Sequence, residues 1–441
     1  MTSGINVLEL SKLTRAERAR CLRRTEGDLA PFLEKVRPII GAVRSEGDAA
    51  LIRFAREFDR AEISEKGLAA SAEDFVRARD SLDSDVVAAI AFAAKNIRKF
   101  HTVQKPQEMW LQEIAPGAFT GERYNPIPSV ACYIPRGKGA FPSSVIMTCI
   151  PARIAGVEDI IIVTPPGPDG HIDAATLVAA EAAGIDRVYK SGGAQAVAAV
   201  AYGTETIPKC VKIVGPGSPW VVAAKRLLSD ILDPGPPAGP SETIIFADGT
   251  IDGRLAALDL LIEAEHGADS SAWLVTTSAA VVASALEAIP RYWKDMSDQR
   301  VAFSRAVLSG ERGGIILAPD IESAIGFIND YAPEHLEILT LEPFSYLGRI
   351  VNAGEILLGA HTPTTLGNFV LGPSHVLPTG GWAKSYSPLS VFDFMKRTSI
   401  GYVTRDAYPA LARHARTIAA YEGFDAHANA VSERRTRILE S

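Results

Sequence analysis

From residue 130 onward the chain keeps one rhythm: a short apolar run, a break, a helix-length stretch, and another apolar run. VACYIP leads through RGKGAFPSSV into IMTCIPARIAG. DIIIVTPP stops at two prolines before the alanine-rich AATLVAAEAAG, with Gly184 just past its end. RVYKSGG precedes AQAVAAVAYG, and KCVKIVGPG is the next apolar run. Strands alternating with helices pack as a parallel sheet covered on both faces, because each crossover helix must bury its apolar stripe. The stretch DPGPPAGP, Asp233 to Pro240, breaks all regular structure and is expected to be a hinge. After it the rhythm resumes. SETIIFAD, SAWLVTTS and GGIILAP read as strands, and GRLAALDLLIEAEHG, AAVVASALEAIPRYW and DIESAIGFINDY as helices. The fold class is therefore α/β, with two parallel-sheet units.

The flanks read differently. Residues 14 to about 105 carry apolar side chains at helical spacing, as in Ile40, Val43, Leu51, Phe54 and Ala55, then Val86, Ile90, Ala93 and Ile97. Ser84 is the expected N-cap of the second run, with Asp85 in its first turn. A mostly polar stretch from Val103 to Asn125 follows. From Thr379 the chain is loop-rich, then ends in helical ARTIAAYEGFDAHANAVSERRTRI. The expected divisions are a helical N-terminal region 1–125, a first α/β domain 126–236, a second 237–380, and a C-terminal segment 381–441.

Composition narrows the function. Lys and Arg number 45 against 52 Asp and Glu, a net charge of −7, with no basic block to serve as a nucleic-acid footprint. No stretch approaches the ~18 to 20 apolar residues of a membrane span, and the first residues lack the apolar core of a signal peptide. Cys21, Cys132, Cys149 and Cys210 include no C-x-x-C pair and no zinc-ligand spacing. Reduced thiols in a soluble cytoplasmic protein are expected.

Four places carry groups suited to chemistry. Glu263 and His266 are three apart near a helix end and share a face, which is half a zinc site or simply a solvated terminus. Glu334 and His335 follow Pro333 just past a helix. Together they suit base catalysis and water activation, or are two polar residues of an exposed turn. Asn368 and His375 stand in GNFVLGPSHVLPTGG, a stretch held by glycine and proline, and Glu422 and His427 flank a turn in EGFDAH. PRGKGAF, SGGAQAV and VGPGSPW lack the G-x-G-x-x-G fingerprint, yet each can present N–H groups to a phosphate.

Taken together, CYIPRGKGAFPSSVIM, SGGAQAVAAVAYGT, KIVGPG, AGPSETIIFAD, AEHGADS, APEHLEI, NAGEILLG, GPSHVLPTGG and KRTSI resemble histidinol dehydrogenases, in that family's order from about Val130 to the C-terminus. The resemblance implies two incomplete Rossmann-like parallel-sheet domains with smaller helical parts, in an intertwined homodimer whose C-terminal segment reaches the partner's site. It implies a zinc enzyme that oxidises an amino alcohol to an amino acid with two NAD. By it, Glu334 activates water and His335 is the general base. His266 and His427 are zinc ligands, His427 donated across the dimer. Ser241, His375 and Glu422 contact substrate, as do the zinc-site residues and His335, while Tyr133 and Gln195 contact NAD.

Three departures stand out. Glu263 replaces a family glutamine among the zinc ligands, Asn368 replaces an aspartate, and Ser218 replaces the NAD-contacting asparagine. A lost carboxylate at 368 and a gained one at 263 leave the ligand charge unchanged, so zinc is expected to be retained in an altered geometry. Family relatives act on other small alcohols, such as a dihydroxypropane sulfonate, but Glu422 favours a substrate with a cationic amine, since a carboxylate repels a sulfonate. A zinc hydrolase and a ligand-binding paralogue without turnover are the rival classes.

Overall fold

A computed structural model describes residues 4–24, 29–64, 67–136 and 139–441. Gly137 and Lys138, in the PRGKGAF turn singled out above, lie outside the described residues. The chain divides into a larger unit, residues 1–105 and 127–394, and a smaller one, residues 106–126 and 395–441.

In chain order the larger unit begins with β1 (Val7–Glu9), and the smaller unit has the hairpin strands β2 (Met109–Ala115) and β3 (Ala118–Pro126). Then come β4 (Ser129–Tyr133), β5 (Asp159–Thr164), β6 (Val188–Lys190) and β7 (Lys212–Val214), followed by β8 (Glu242–Ala247), β9 (Ser271–Thr276), β10 (Gly313–Leu317), β11 (His335–Ile338) and β12 (Glu355–Leu358). β13 (Met395–Val403) returns to the smaller unit.

The first α/β half is a parallel sheet in the order β6-β5-β4-β7. Its residues from Ile160 to Val163 are buried, which is why DIIIVT reads as one continuous apolar run rather than an alternation. The order reverses between β4 and β7, and the crevice beyond the carboxyl ends of such strands is where open α/β sheets bind ligands. The second half is a parallel sheet in the order β1-β10-β9-β8-β11-β12. One of its faces packs on the Gly253–Ala264 and Ala279–Tyr292 helices through Leu260, Ala285 and Ile289. The other packs on the Ile321–Tyr331 helix through Ala324, Phe327 and Ile328. The predicted α/β class with two parallel sheets is the observed one. Between the Pro219–Leu227 helix and β8, Asp233 to Pro240 forms the expected irregular connection.

Several local readings are corrected. The polar stretch from Val103 to Asn125 contains β2 and β3, which form an antiparallel sheet in the order β13-β3-β2. β2 is exposed along nearly its whole length, so it lacks the alternation that marks a half-buried strand. The partner of β3 on its other side lies far along the sequence. The N-terminal residues are not all helical, because β1 pairs with β10 at the edge of the second sheet. Asp83, not Ser84, caps the Ser84–Gln104 helix; its carboxylate accepts the Asp85 N–H at 2.8 Å. Among the described residues no helix is long and apolar enough to cross a membrane, and the four cysteines are free and buried.

One buried charge lends the first half a pH dependence. Lys225 in the Pro219–Leu227 helix donates to the Gly215 carbonyl at 2.8 Å, and burial pulls its ammonium down to about 8 from 10.5. Between those values the unfolded chain holds a proton that the folded chain has released, so stability rises with pH across the window. Relative to Lys225→Met, the wild-type unfolding free energy should gain up to about 3 kcal/mol between pH 8 and 10.5. Urea titrations of both proteins at several pH values check it, and parallel pH curves would contradict it.

Candidate active site

The Ile321–Tyr331 helix ends at Ala332, whose φ of +53° is left-handed. A side chain is strained there and persists only where its surroundings over-determine it. Pro333 follows, and β11 starts at His335. This abrupt turn buries Glu334 and His335, at 7% and 3% exposure, so the exposed-turn alternative is discarded.

Glu334 Oε2 accepts the Glu242 N–H at 2.8 Å, and its Oε1 lies 3.9 Å from His335 Nε2. On the other side of the ring, His335 Nδ1 donates to Glu355 Oε2 at 2.9 Å. Glu355 stands opposite His335 in the β11–β12 register. A carboxylate only accepts, so Nδ1 keeps its hydrogen and Nε2 is the nitrogen that exchanges a proton on the Glu334 side. Burial opposes charge on His335, but Glu334, then Glu355 and Glu263, outweigh it and raise the imidazole to about 9. Burial pushes Glu334 well above the usual carboxylate range, against the opposing charge of His335.

Glu263 is the next group. The Gly253–Ala264 helix ends earlier than its spacing suggests, so His266 sits on the following turn rather than on the helix. The two still meet: His266 Nδ1 is 3.1 Å from Glu263 Oε2 and 3.0 Å from the Ile262 carbonyl. Asn368, on the Thr364–Phe369 helix, donates Nδ2 to Glu263 Oε1 at 2.9 Å. Burial favours the neutral acid at Glu263, yet the charges of His266 and His335, with hydrogen bonds from Asn368 and Ser241, outweigh it and hold the carboxyl below its usual value. His375 Nδ1 donates to the Asn368 carbonyl at 2.8 Å, which leaves Nε2 to accept from Ser144 Oγ at 3.3 Å. Burial pulls this imidazole below its ordinary value. Ser144 belongs to the Pro142–Ala155 helix after β4, so His375 ties the two α/β halves together beside the cluster.

The structure thus gathers Ser241, Glu263, His266, Glu334, His335, Asn368 and His375. Glu422 and His427 lie in the smaller unit, where both are exposed. Among the described residues no three His, Cys, Asp or Glu side chains form a ready metal cluster. The donor chemistry nevertheless fits a divalent cation. His266 engages Nδ1 with a carbonyl, as zinc-bound histidines do through the nitrogen that is not ligating, which leaves Nε2. Asn368 spends its amide nitrogen on Glu263 and keeps Oδ1. Carboxylate, imidazole and amide oxygen make three donors, one short of a tetrahedral set.

The three residues expected to contact NAD lie around the first sheet. Tyr133 ends β4, and its hydroxyl accepts the Gly193 N–H at 3.0 Å at the start of the Gly193–Tyr202 helix, where Gln195 is buried. Ser218 is the N-cap of the Pro219–Leu227 helix after β7. Gly215 in that turn has φ +109°, and a Cβ there would lie 2.2 Å from the Tyr133 carbonyl oxygen, so glycine is required for β4 and the turn to approach. This is the switch point of the four-stranded sheet, where open α/β sheets bind ligands, and its turn lacks the G-x-G-x-x-G fingerprint.

Sequence reasoning missed Glu355 and Glu242. Glu242 pairs with Arg24 at 2.9 Å and accepts the Gly380 N–H at 2.8 Å, while its own N–H holds Glu334. The available signal was a lone carboxylate in each of the apolar runs ETIIFA and EILL, since buried charges are rare unless partnered.

A family model described as histidinol dehydrogenase matches residues 22–435. A protein of Mesorhizobium japonicum named "Histidinol dehydrogenase homolog 2" is 63% identical over 99% of both chains. The histidinol dehydrogenase of Synechocystis sp. is 47% identical over 97% of this chain and 98% of its own. The crystal structure of histidinol dehydrogenase from Elizabethkingia anophelis superposes with a TM-score of 0.93 at 32% identity, covering 99% of each chain. On these matches the chain belongs to the histidinol dehydrogenase family of oxidoreductases.

Proposed function

We propose that this chain is a zinc- and NAD-dependent dehydrogenase that oxidises a small primary alcohol to a carboxylate through a retained aldehyde, with L-histidinol to L-histidine as the leading reaction. The observation that carries it is the buried Glu334–His335 step, with His335 Nδ1 held by Glu355. A base with one nitrogen fixed has the other at a defined atom for proton abstraction. His335 Nε2 takes the hydroxyl proton as the carbinol carbon gives up its hydride. Glu334, desolvated and anchored by the Glu242 N–H, takes a proton from the water that adds to the aldehyde, and the hydrate gives up the second hydride. Glu263, His266 and Asn368 would hold zinc, whose positive charge would polarise the substrate and offset the carboxylates around His335. Tyr133, Gln195 and Ser218 would hold NAD, which would accept one hydride per oxidation, two NAD being used in turn. Burial of the site keeps the aldehyde from water until Glu334 acts.

The smaller unit supports a homodimer. It exposes Trp110, Leu111, Ile114, Ile418, Tyr421 and Phe424, and Ala412 is the only residue of the Tyr408–Tyr421 helix that is buried. His427 of one copy would supply the missing zinc donor of the other, and Glu422 would meet the substrate amine. Four buried thiols support a reducing, cytoplasmic setting.

A second reading, oxidation of a dihydroxypropane sulfonate, has its own support. Relatives 54% to 63% identical are named as homologs, and the Glu263–Asn368 exchange alters charge placement among the substrate-holding groups. NAD reduction measured side by side with histidinol and the sulfonate diol decides between the two. On the same sample, metal analysis should find about one zinc per chain, removed by chelator together with activity. Little zinc with chelator-insensitive turnover would remove the metal from the proposal.

A further inference from the structure

One turn beneath the site lies a second polar layer that the reaction above does not use. The Gly253–Ala264 helix contributes Glu263 to the site and Asp259 to the layer below. β11 contributes His335 above and Glu337, two residues on and on the same sheet face, below. The Thr364–Phe369 helix contributes Asn368 above and Thr364 below. Each of the three elements thus supplies one residue to each layer, and residues four apart on a helix lie one over the other.

The lower layer is dry and acidic. Asp259 is 4% exposed, and Glu337 and Thr364 are fully buried. Neither Glu337 oxygen has a hydrogen bond of normal geometry; the groups that act on it are the Asp259 carboxyl and the amide and hydroxyl of Thr364. Among the described residues, no basic side chain is among the leading groups acting on either carboxyl. Two facing carboxylates in such a place cannot both be charged, whereas an acid and a carboxylate form a strong hydrogen bond. Burial, and for Glu337 also the charge of Asp259, pushes both carboxyls up.

We propose that Asp259 and Glu337 share one proton, and that this acid–carboxylate hydrogen bond clamps the Gly253–Ala264 helix to β11 and so sets Glu263 against His335. The two are positioning residues, acting through their neighbours one turn above. Their role rests on the reading of Glu263 and His335 as site groups. The shared proton does not.

The test has two arms. Infrared spectra of the wild-type protein in deuterated buffer at neutral pH should show a protonated-carboxyl stretch, part of which is lost in Glu337→Gln and in Asp259→Asn. A wild-type spectrum unchanged by either substitution overturns the proposal, whatever the substrate proves to be. In the second arm, Glu337→Gln replaces the acid by an amide that can still donate to Asp259, and Glu337→Leu cannot donate at all. The leucine variant should lose about 10- to 100-fold in kcat with KM for NAD unchanged, the scale of a small misplacement of reacting groups, and the glutamine variant should recover to within about threefold. Thermal melts accompany both, since Glu337→Leu leaves Asp259 buried without its partner, which lowers stability. Equal losses in the two variants, or none in leucine, overturn the clamp. If the leucine variant does not fold, the infrared arm on wild type and Glu337→Gln still decides.

Discussion

His335→Asn is expected to slow the first hydride transfer by about 10²- to 10⁴-fold, the range lost when a positioned general base is removed. Asparagine can keep a donor for Glu355, which holds His335 Nδ1 at 2.9 Å, so the local packing has a partner to retain. What it lacks is a basic nitrogen where Nε2 lies, 3.9 Å from Glu334 Oε1. The loss should therefore fall on kcat, with KM for the alcohol changing by less than about tenfold, because an interaction made only in the transition state has gone. Rapid-mixing absorbance of the first equivalent of NADH reads this step. A first-turnover rate within about threefold of wild type would remove His335 from the role of base.

Glu334→Gln is expected to divide the reaction in two. The first oxidation needs no water, so its rate should stay within about tenfold of wild type. The second should fall by about 10²- to 10³-fold, because hydration of the aldehyde requires a group that takes a proton from water, and an amide does not. Glutamine can still accept the Glu242 N–H that holds Glu334 Oε2 at 2.8 Å, so the strand ends should remain in place. The measurable result is about one NADH per substrate in place of two, with aldehyde recovered by a carbonyl-trapping reagent. If His335→Asn and Glu334→Gln impair both half-reactions to the same degree, the assignment of separate steps to the two residues fails.

These expectations rest on groups the sequence exposed unevenly. DIIIVT and ETIIFA declare themselves as buried parallel strands because each carries four consecutive apolar residues, IIIV and IIFA, and a run without alternation has no water-facing side. Gly184, at φ +77°, marks its helix end for the same local reason. The Glu334–His335 step was visible as adjacent ionisable residues after a proline. Its burial was not, because the left-handed turn at Ala332 that drives it inward has no signature in an alanine. The hairpin of β2 and β3 was hidden because its strands are exposed and one partner, β13, is remote in sequence.

Alone, the order of residues determined the α/β class, the two parallel sheets and the resemblance that names the reaction type, since each depends on local periodicity or on short motifs in a fixed order. Which side chains meet was decided only in three dimensions. The Asn368 amide closes on the Glu263 carboxylate across 105 positions, Glu355 aligns with His335 through strand register, and Asp259 faces Glu337 beneath them. Hydrogen bonding and charge act over a few ångströms, and sequence separation says nothing about distances on that scale.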